Sequence, residues 1–238
     1  SKKYALYNGD REVFVALYER TEKGFGKCLE INKTRELCED TTAGQYEDAL
    51  SDMLTRAQSA GVITGTEVIK RVGIRIVAPG TFFATHRVID GAYMQRLQSV
   101  REAAPLPVPH QLSELRVIRE MFPHARIIGV SDSTFHATMP AHARRYSISK
   151  KETEAFDLYR FGYHGLSIAS IVREVGKSTG RIPQRMIVCH IGSGMSVTAL
   201  KDGKSVDTTM GFAPTSGLIM GTRAGEIDPS ALIYLFKQ

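Results

Sequence analysis

The chain predicts an α/β fold built as two units in series, on three observations. Strand signals open the chain, and then helices and strands alternate. A second group of strands begins at Arg185, after a long helix, and its turns are marked by Gly192-Ser193-Gly194 and Asp202-Gly203. No short-period repeat, low-complexity tract or long flexible linker interrupts the 238 residues.

The elements follow in order. Residues 3 to 31 read as strands: KYALY, the Asn8-Gly9 turn, EVFVALYE, a turn containing Gly24, then CLEI. Thr42 and Gln45 form a capping box for the first helix. Tyr46, Ala49, Leu50, Met53, Leu54 and Ala57 share one face of it, a core stripe that Gly61 closes. VGIRIV (72–77) is a strand carrying Arg75, a position more often solvent-facing or paired than functional. A helix runs from Asp90 to about Ala104, and the proline-rich APLPVP (104–109) is expected as a rigid link before a helix over 111–122. RIIGV (126–130) is a buried strand with Asp132 just past its C-terminal end. Ligands bind at that edge in open α/β sheets, and a turn or cap aspartate is an equal reading. Residues 133–162 are expected as a long loop with short elements. His164, between Gly162 and Gly165, leads into a helix with Ile168, Ile171, Val172 and Val175 on one face. From Arg185 an antiparallel meander runs to Met210, and Asp228-Pro229 starts a last helix. Ser1 is not a start methionine and the last helix has no C-cap, so a longer functional protein is expected.

Composition narrows the class. Hydrophobic residues at 42% and charged residues at 24% fit a globular protein. No apolar run is long enough for a membrane span, and the charged opening residues do not read as a signal peptide. The three cysteines, Cys28, Cys38 and Cys189, show no C-x-x-C spacing, so neither a disulfide framework nor a zinc site is expected and a cytoplasmic location is. The net charge is +6, and Arg144, Arg145, Lys150 and Lys151 form the densest basic cluster. Without a binding motif or interleaved aromatics, a solvated loop outweighs a nucleic-acid surface, and small phosphate-bearing ligands also explain a positive balance.

The residues that can carry chemistry are Arg75, His164 and Arg223 as donors, Asp132 as the carboxylate, and the glycine turn after His190. Phosphoryl transfer needs this mixture, because its transition state spreads negative charge over equatorial oxygens. The glycines let backbone N–H groups approach phosphate, although alone a Gly-x-Gly hairpin is weak and a plain turn is the better reading. The turn is neither a Walker loop nor a dinucleotide fingerprint, since no helix follows it directly.

Several stretches together resemble the acetate kinase family, within the superfamily that also holds the sugar kinases and actin. They are VSDSTFHATMP (130–140), FGYHGLS (161–167), CHIGSGMSVTALKDGKSVDTTMGF (189–212) and GLIMGTRAGEIDP (217–229). SKKYALY, IRIVAPG and APLPVP are weaker matches. The resemblance covers nearly the whole chain, as the N-terminal three-fifths of a family member. It implies two ribonuclease H-like, actin-like ATPase domains with mixed sheets flanked by helices, the second incomplete. Residues 1–140 would form an N-terminal acyl-substrate domain lacking its first strand, and 141–238 the first part of a nucleotide-binding domain.

The implied activity is reversible, direct in-line transfer from ATP to a short-chain carboxylate, acetate first, giving an acyl phosphate and ADP. The alternatives are a propionate or butyrate kinase and a non-catalytic nucleotide- or phosphate-binding relative. The resemblance assigns Asp132, His164 and Arg223 to catalysis and Arg75 to the acceptor carboxylate. It assigns Val77, Leu106, Tyr163 and Pro214 to an acyl pocket, and Lys3 with His190, Ile191, Gly192, Ser193 and Gly194 to the nucleotide. It also implies ATP/ADP and Mg²⁺ as cofactors, with no metal ligand inside these residues. A homodimer with no nucleic-acid or membrane partner is implied too. Three positions depart from the family pattern: Pro107 and Ala78 stand where histidines are usual, and Ser193 where asparagine is.

Overall fold

A computed structural model describes residues 1–35 and 38–238. The chain divides into two compact units, Ser1–Lys70 and Arg71–Gln238.

The first unit is an antiparallel sheet backed by helices. Strands β1 (Lys2–Asn8), β2 (Arg11–Thr21) and β3 (Gly24–Ile31) form a meander, with β4 (Thr34–Arg35) and β5 (Glu39–Thr41) both pairing with β3. Thr42 caps α1 (Ala43–Glu47) through a full capping box with Gln45. The single helix expected here is broken at Asp48, and α2 (Ala49–Ser59) carries the core stripe Ala49, Leu50, Met53, Leu54 and Ala57. Phe14, Ala16, Tyr18 and Leu29 from the sheet are buried as well. Lys27, 2% exposed, is compensated by ion pairs to Asp52 and Glu39 at 3.2 and 3.3 Å.

A disulfide joins Cys28 to Cys38, contrary to the sequence expectation. Cys28 lies on β3 and Cys38 just before β5. Because β5 folds back on β3, their Cα atoms come within 4.2 Å, a pairing that a ten-residue separation alone does not announce.

The second unit holds two small sheets. Strands β6 (Arg71–Ile76) and β8 (Arg126–Ser131) run parallel, and β7 (Arg87–Val88) pairs antiparallel to β8. The crossover contains α3 (Gly91–Ser99), capped by Asp90, and α4 (Pro107–Met121). The rigid link expected at 104–109 is corrected: Pro107-Val108-Pro109 form the first turn of α4, where a missing N–H costs nothing. After Asp132 come a 3₁₀ turn (Thr134–Thr138) and two short helices, α5 (Ala141–Arg144) and α6 (Lys150–Ala155). Helix α7 (Gly165–Thr179) follows, then the meander β9 (Arg185–Ile191), β10 (Met195–Lys201), β11 (Lys204–Thr208), and α8 (Pro229–Leu235). Ile168 and Val172 of α7 pack on Val188 and Leu200 of the meander, which fixes the start of α7 beside the β9–β10 turn. Among the described residues no helix is long and apolar enough to cross a membrane.

Candidate active site

Parallel pairing brings the first two charged groups together. Arg75 stands opposite Val130 in the β6–β8 register, so both strands end toward Asp132, whose N–H bonds the Ile76 carbonyl at 3.0 Å. Arg75 Nη2 donates to Asp132 Oδ2 at 2.7 Å. The arginine side chain is 55% exposed and the aspartate 1%, so the guanidinium keeps donors free for a ligand while the carboxylate is locked. Asp132 Oδ2 also accepts the backbone N–H of His164 at 2.8 Å, and the Asp132 carbonyl accepts from Gly165 N at 2.8 Å. Oδ1 is buried and has no hydrogen-bond partner among the described residues.

His164 begins α7 in a left-handed conformation, φ 54°, after Gly162 at 88° and Tyr163 at 50°. Three such residues in a row turn the chain sharply, and the His164 ring, 7% exposed, points toward the meander. Its Nδ1 lies 2.9 Å from Ser196 Oγ, and the ring stacks on His190 at 3.9 Å between centroids. His190 is itself tied to Ser167 Oγ at 3.0 Å. Burial, the neighbouring His190 ring and the Arg75 and Arg223 guanidinium groups push His164 down to about 4, against the opposite pull of Asp132. Burial and Arg75 lower His190 as well. Both imidazoles are therefore neutral at pH 7.

Gly194 is where the donors converge. A Cβ built there would stand 3.0 Å from His164 Nε2 and 3.3 Å from Arg223 Nη1, so only glycine leaves these groups room on a ligand. Arg223 is anchored by the Pro214 carbonyl at 2.7 Å and the Met220 sulfur at 3.4 Å. Gly192 N bonds Gly194 O at 3.1 Å, which closes the turn.

An apolar cluster of Phe161, Tyr163, Met210 and Met220 adjoins this group, with Val77 packed against it. Tyr163 donates its hydroxyl to the Phe212 carbonyl. Of the acyl-pocket residues expected from sequence, Val77 and Tyr163 meet here, and Pro214 contributes through Arg223. Leu106 instead lies at the start of α4, 62% exposed. On the nucleotide side, His190 and Gly194 join the group, Ile191 is 73% exposed, and Ser193 is exposed at the turn. Lys3 lies on β1, exposed, within the first unit.

Sequence reasoning missed three supports. Ser196 holds the His164 ring, and Gln111 accepts from the Val77 N–H at 3.2 Å and donates to the Val77 carbonyl at 3.1 Å. His136 bonds the Tyr163 carbonyl at 2.7 Å and Ser205 Oγ at 2.8 Å. His136 lies inside a stretch already singled out, but an isolated histidine has no periodicity to mark it.

Around one buried carboxylate the α/β scaffold gathers two arginines, two stacked imidazoles and a glycine turn, a set of donors with the chemistry to hold an anion. The acetokinase family model matches residues 1–238, and the chain belongs to that family. An acetate kinase of Lacticaseibacillus paracasei is 36% identical over 201 residues, covering 84% of this chain and 51% of the relative. Acetate kinase 2 of Neisseria meningitidis serogroup B is 40% identical over 169 residues, covering 70% and 42%. Among solved structures, a propionate kinase from Francisella tularensis aligns with TM-score 0.79 at 29% identity, over 99% of this chain and 61% of that one. The acetate kinase of Entamoeba histolytica aligns at 0.78 and 25% identity, over 99% and 59%. The fold is therefore that of the acetate and propionate kinases, and the chain spans about half the length of the curated relatives it matches.

Proposed function

We propose that this chain belongs to an ATP-dependent kinase that phosphorylates a short-chain carboxylate, acetate first, to an acyl phosphate and ADP. One observation carries the reading: Asp132 grips both Arg75 and the His164 backbone, while His164 Nε2 and Arg223 Nη1 flank Gly194. Arg75 would pair the acceptor carboxylate with its free N–H groups. Neutral His164, accepting from Ser196 at Nδ1, would donate Nε2–H to an equatorial phosphoryl oxygen, and Arg223 would add positive charge. Val77 and Tyr163 would face the acyl chain. His190, Ile191, Gly192, Ser193 and Gly194 would serve the nucleotide. On this reading residues 1–140 form the acyl side and 141–238 the first part of the nucleotide side.

A carboxylic acid acceptor titrates near the glutamate reference of about 4.3. It arrives ionised at pH 7, and no base is needed. Asp132 is then a positioning group, holding Arg75 and the His164 peptide. Its unpaired Oδ1 would be the acceptor available to a water held by nucleotide-bound Mg²⁺. That ion would neutralise phosphate charge. Among the described residues no group of three or more His, Cys, Asp or Glu side chains could hold it directly.

A propionate kinase among the structural relatives favours a second reading, propionate as acceptor. One methylene in an apolar pocket changes binding by only ~1–3 kcal/mol. A cytoplasmic homodimer is the assembly we propose from family membership. A hydroxamate assay on the full-length protein with ATP-Mg²⁺ and acetate, propionate or butyrate tests all of this. Acyl phosphate from the preferred acid supports the kinase. Its absence with every acid, alongside nucleotide binding, would identify a non-catalytic relative instead, with Pro107 and Ala78 as the sites to restore.

A further inference from the structure

We infer that His136 is a positioning residue for the proposed phosphoryl-transfer site: with Asp132, it clamps the Tyr163–His164 peptide plane from the opposite side and so aims the His164 ring. The inference rests on the role proposed for His164. The plane has two polar ends. Its N–H, on His164, donates to Asp132 Oδ2 at 2.8 Å. Its C=O, on Tyr163, accepts from His136 Nε2 at 2.7 Å. Asp132 and His136 belong to one short segment, the end of β8 and the 3₁₀ turn after it, so a single piece of backbone grips both ends of one peptide.

The chemistry fixes the tautomer. A carbonyl can only accept, so Nε2 carries the proton. Nδ1 then accepts from the Ser205 hydroxyl at 2.8 Å, which ties the ring to β11. The ring is 2% exposed, and burial lowers its affinity for a second proton. A neutral, doubly bonded imidazole of one tautomer is a rigid strut.

The turn it supports needs one. Tyr163 and His164 both carry side chains at positive φ, where L residues are crowded. Gly162 is packed so closely against His136 that a Cβ there would come within 2.4 Å of the ring. Release of the Tyr163 carbonyl would let the plane rotate, breaking the His164 N–H contact and swinging the His164 ring away from Gly194. The two bonds also reinforce each other, since an amide polarised at its oxygen donates more strongly at its nitrogen.

His136→Gln and His136→Asn separate this role from simple core filling. The Gln amide nitrogen reproduces the Nε2 donor. The Asn amide reaches only the Nδ1 position, so it pairs with Ser205 and leaves the Tyr163 carbonyl unbonded. In the full-length protein we expect His136→Asn to lose about 100-fold in kcat, with KM for ATP and carboxylate within about threefold. His136→Gln should retain kcat within about tenfold at a similar Tm. Equal losses in the two variants, or a loss confined to KM or Tm, overturn the inference. His164→Ala distinguishes the readings: wild-type turnover there sinks the role of His164. A dead His164→Ala beside a fully active His136→Asn sinks the role of His136 alone. A readout independent of turnover is the ¹⁵N spectrum of the unmutated chain. His136 should be a neutral Nε2–H tautomer from pH 6 to 8, and an Nδ1–H or doubly protonated ring would overturn the clamp even if both variants failed to fold.

Discussion

Asp132→Asn isolates the charge at the centre of the site while keeping its shape. The amide oxygen can take the place of Oδ2, which accepts from Arg75 at 2.7 Å and from His164 N at 2.8 Å. Exchanging Oδ1 for an NH₂ swaps one unpaired buried group for another, so that side is nearly neutral. The bond to the buried His164 N–H falls from charge-assisted to neutral, a loss of about 1 kcal/mol. The Arg75 pair is discounted because the guanidinium is half exposed, leaving about 0–1 kcal/mol. The sum, about 1–2 kcal/mol, lowers Tm by about 2–8 °C. Turnover should fall further, by about 10²–10³, because a loosened His164 misplaces a transition-state donor. Thermal melts and a hydroxamate assay at pH 7 on full-length protein measure the two effects separately. Turnover within twofold of wild type would refute the view that the Asp132 charge orders Arg75 and His164.

Three further outcomes are expected. Stability should fall on acidification: His164, His136 and His190 all bind protons more weakly folded than unfolded. Their contribution is full above about pH 6.5 and falls as pH drops below it, toward about 4 for His164, with the partly exposed His190 contributing least. Urea titrations at pH 7 and pH 5 read this directly, and equal stability at both would contradict buried neutral imidazoles. Gly194→Ala places a methyl 3.0 Å from His164 Nε2 and 3.3 Å from Arg223 Nη1. Turnover should drop about 10- to 100-fold while Tm barely moves, since only side-chain ends must yield; undiminished turnover would show that no ligand atom uses that space. Reducing Cys28–Cys38 should lower the stability of the first unit by about 3 kcal/mol and raise the titratable thiols from Cys189 alone to all three cysteines. Three thiols in protein never exposed to reductant would rule the bridge out.

Local physics made much of this molecule legible in its sequence. Asp202 and Gly203 take φ values of 51° and 74°, as an Asp-Gly hairpin turn requires, and the Thr42–Gln45 box caps a helix where the two residue types predict it. The buried stripe on α2 and the end of β8 just before Asp132 were equally plain, because period and turn chemistry act over a few residues. The prolines at 107 and 109 misled, since a first helical turn and a stiff linker share the same local geometry. Only the tertiary structure joined Arg75 to Asp132, 57 residues apart, because parallel strands meet through a crossover that no local pattern encodes. It alone paired Cys28 with Cys38 and set His136 against the Tyr163 carbonyl. Sequence by itself determined which residue types could handle an anion and which turns would present them. The fold decided their partners, because hydrogen bonds among buried groups depend on packing between distant segments and not on spacing along the chain.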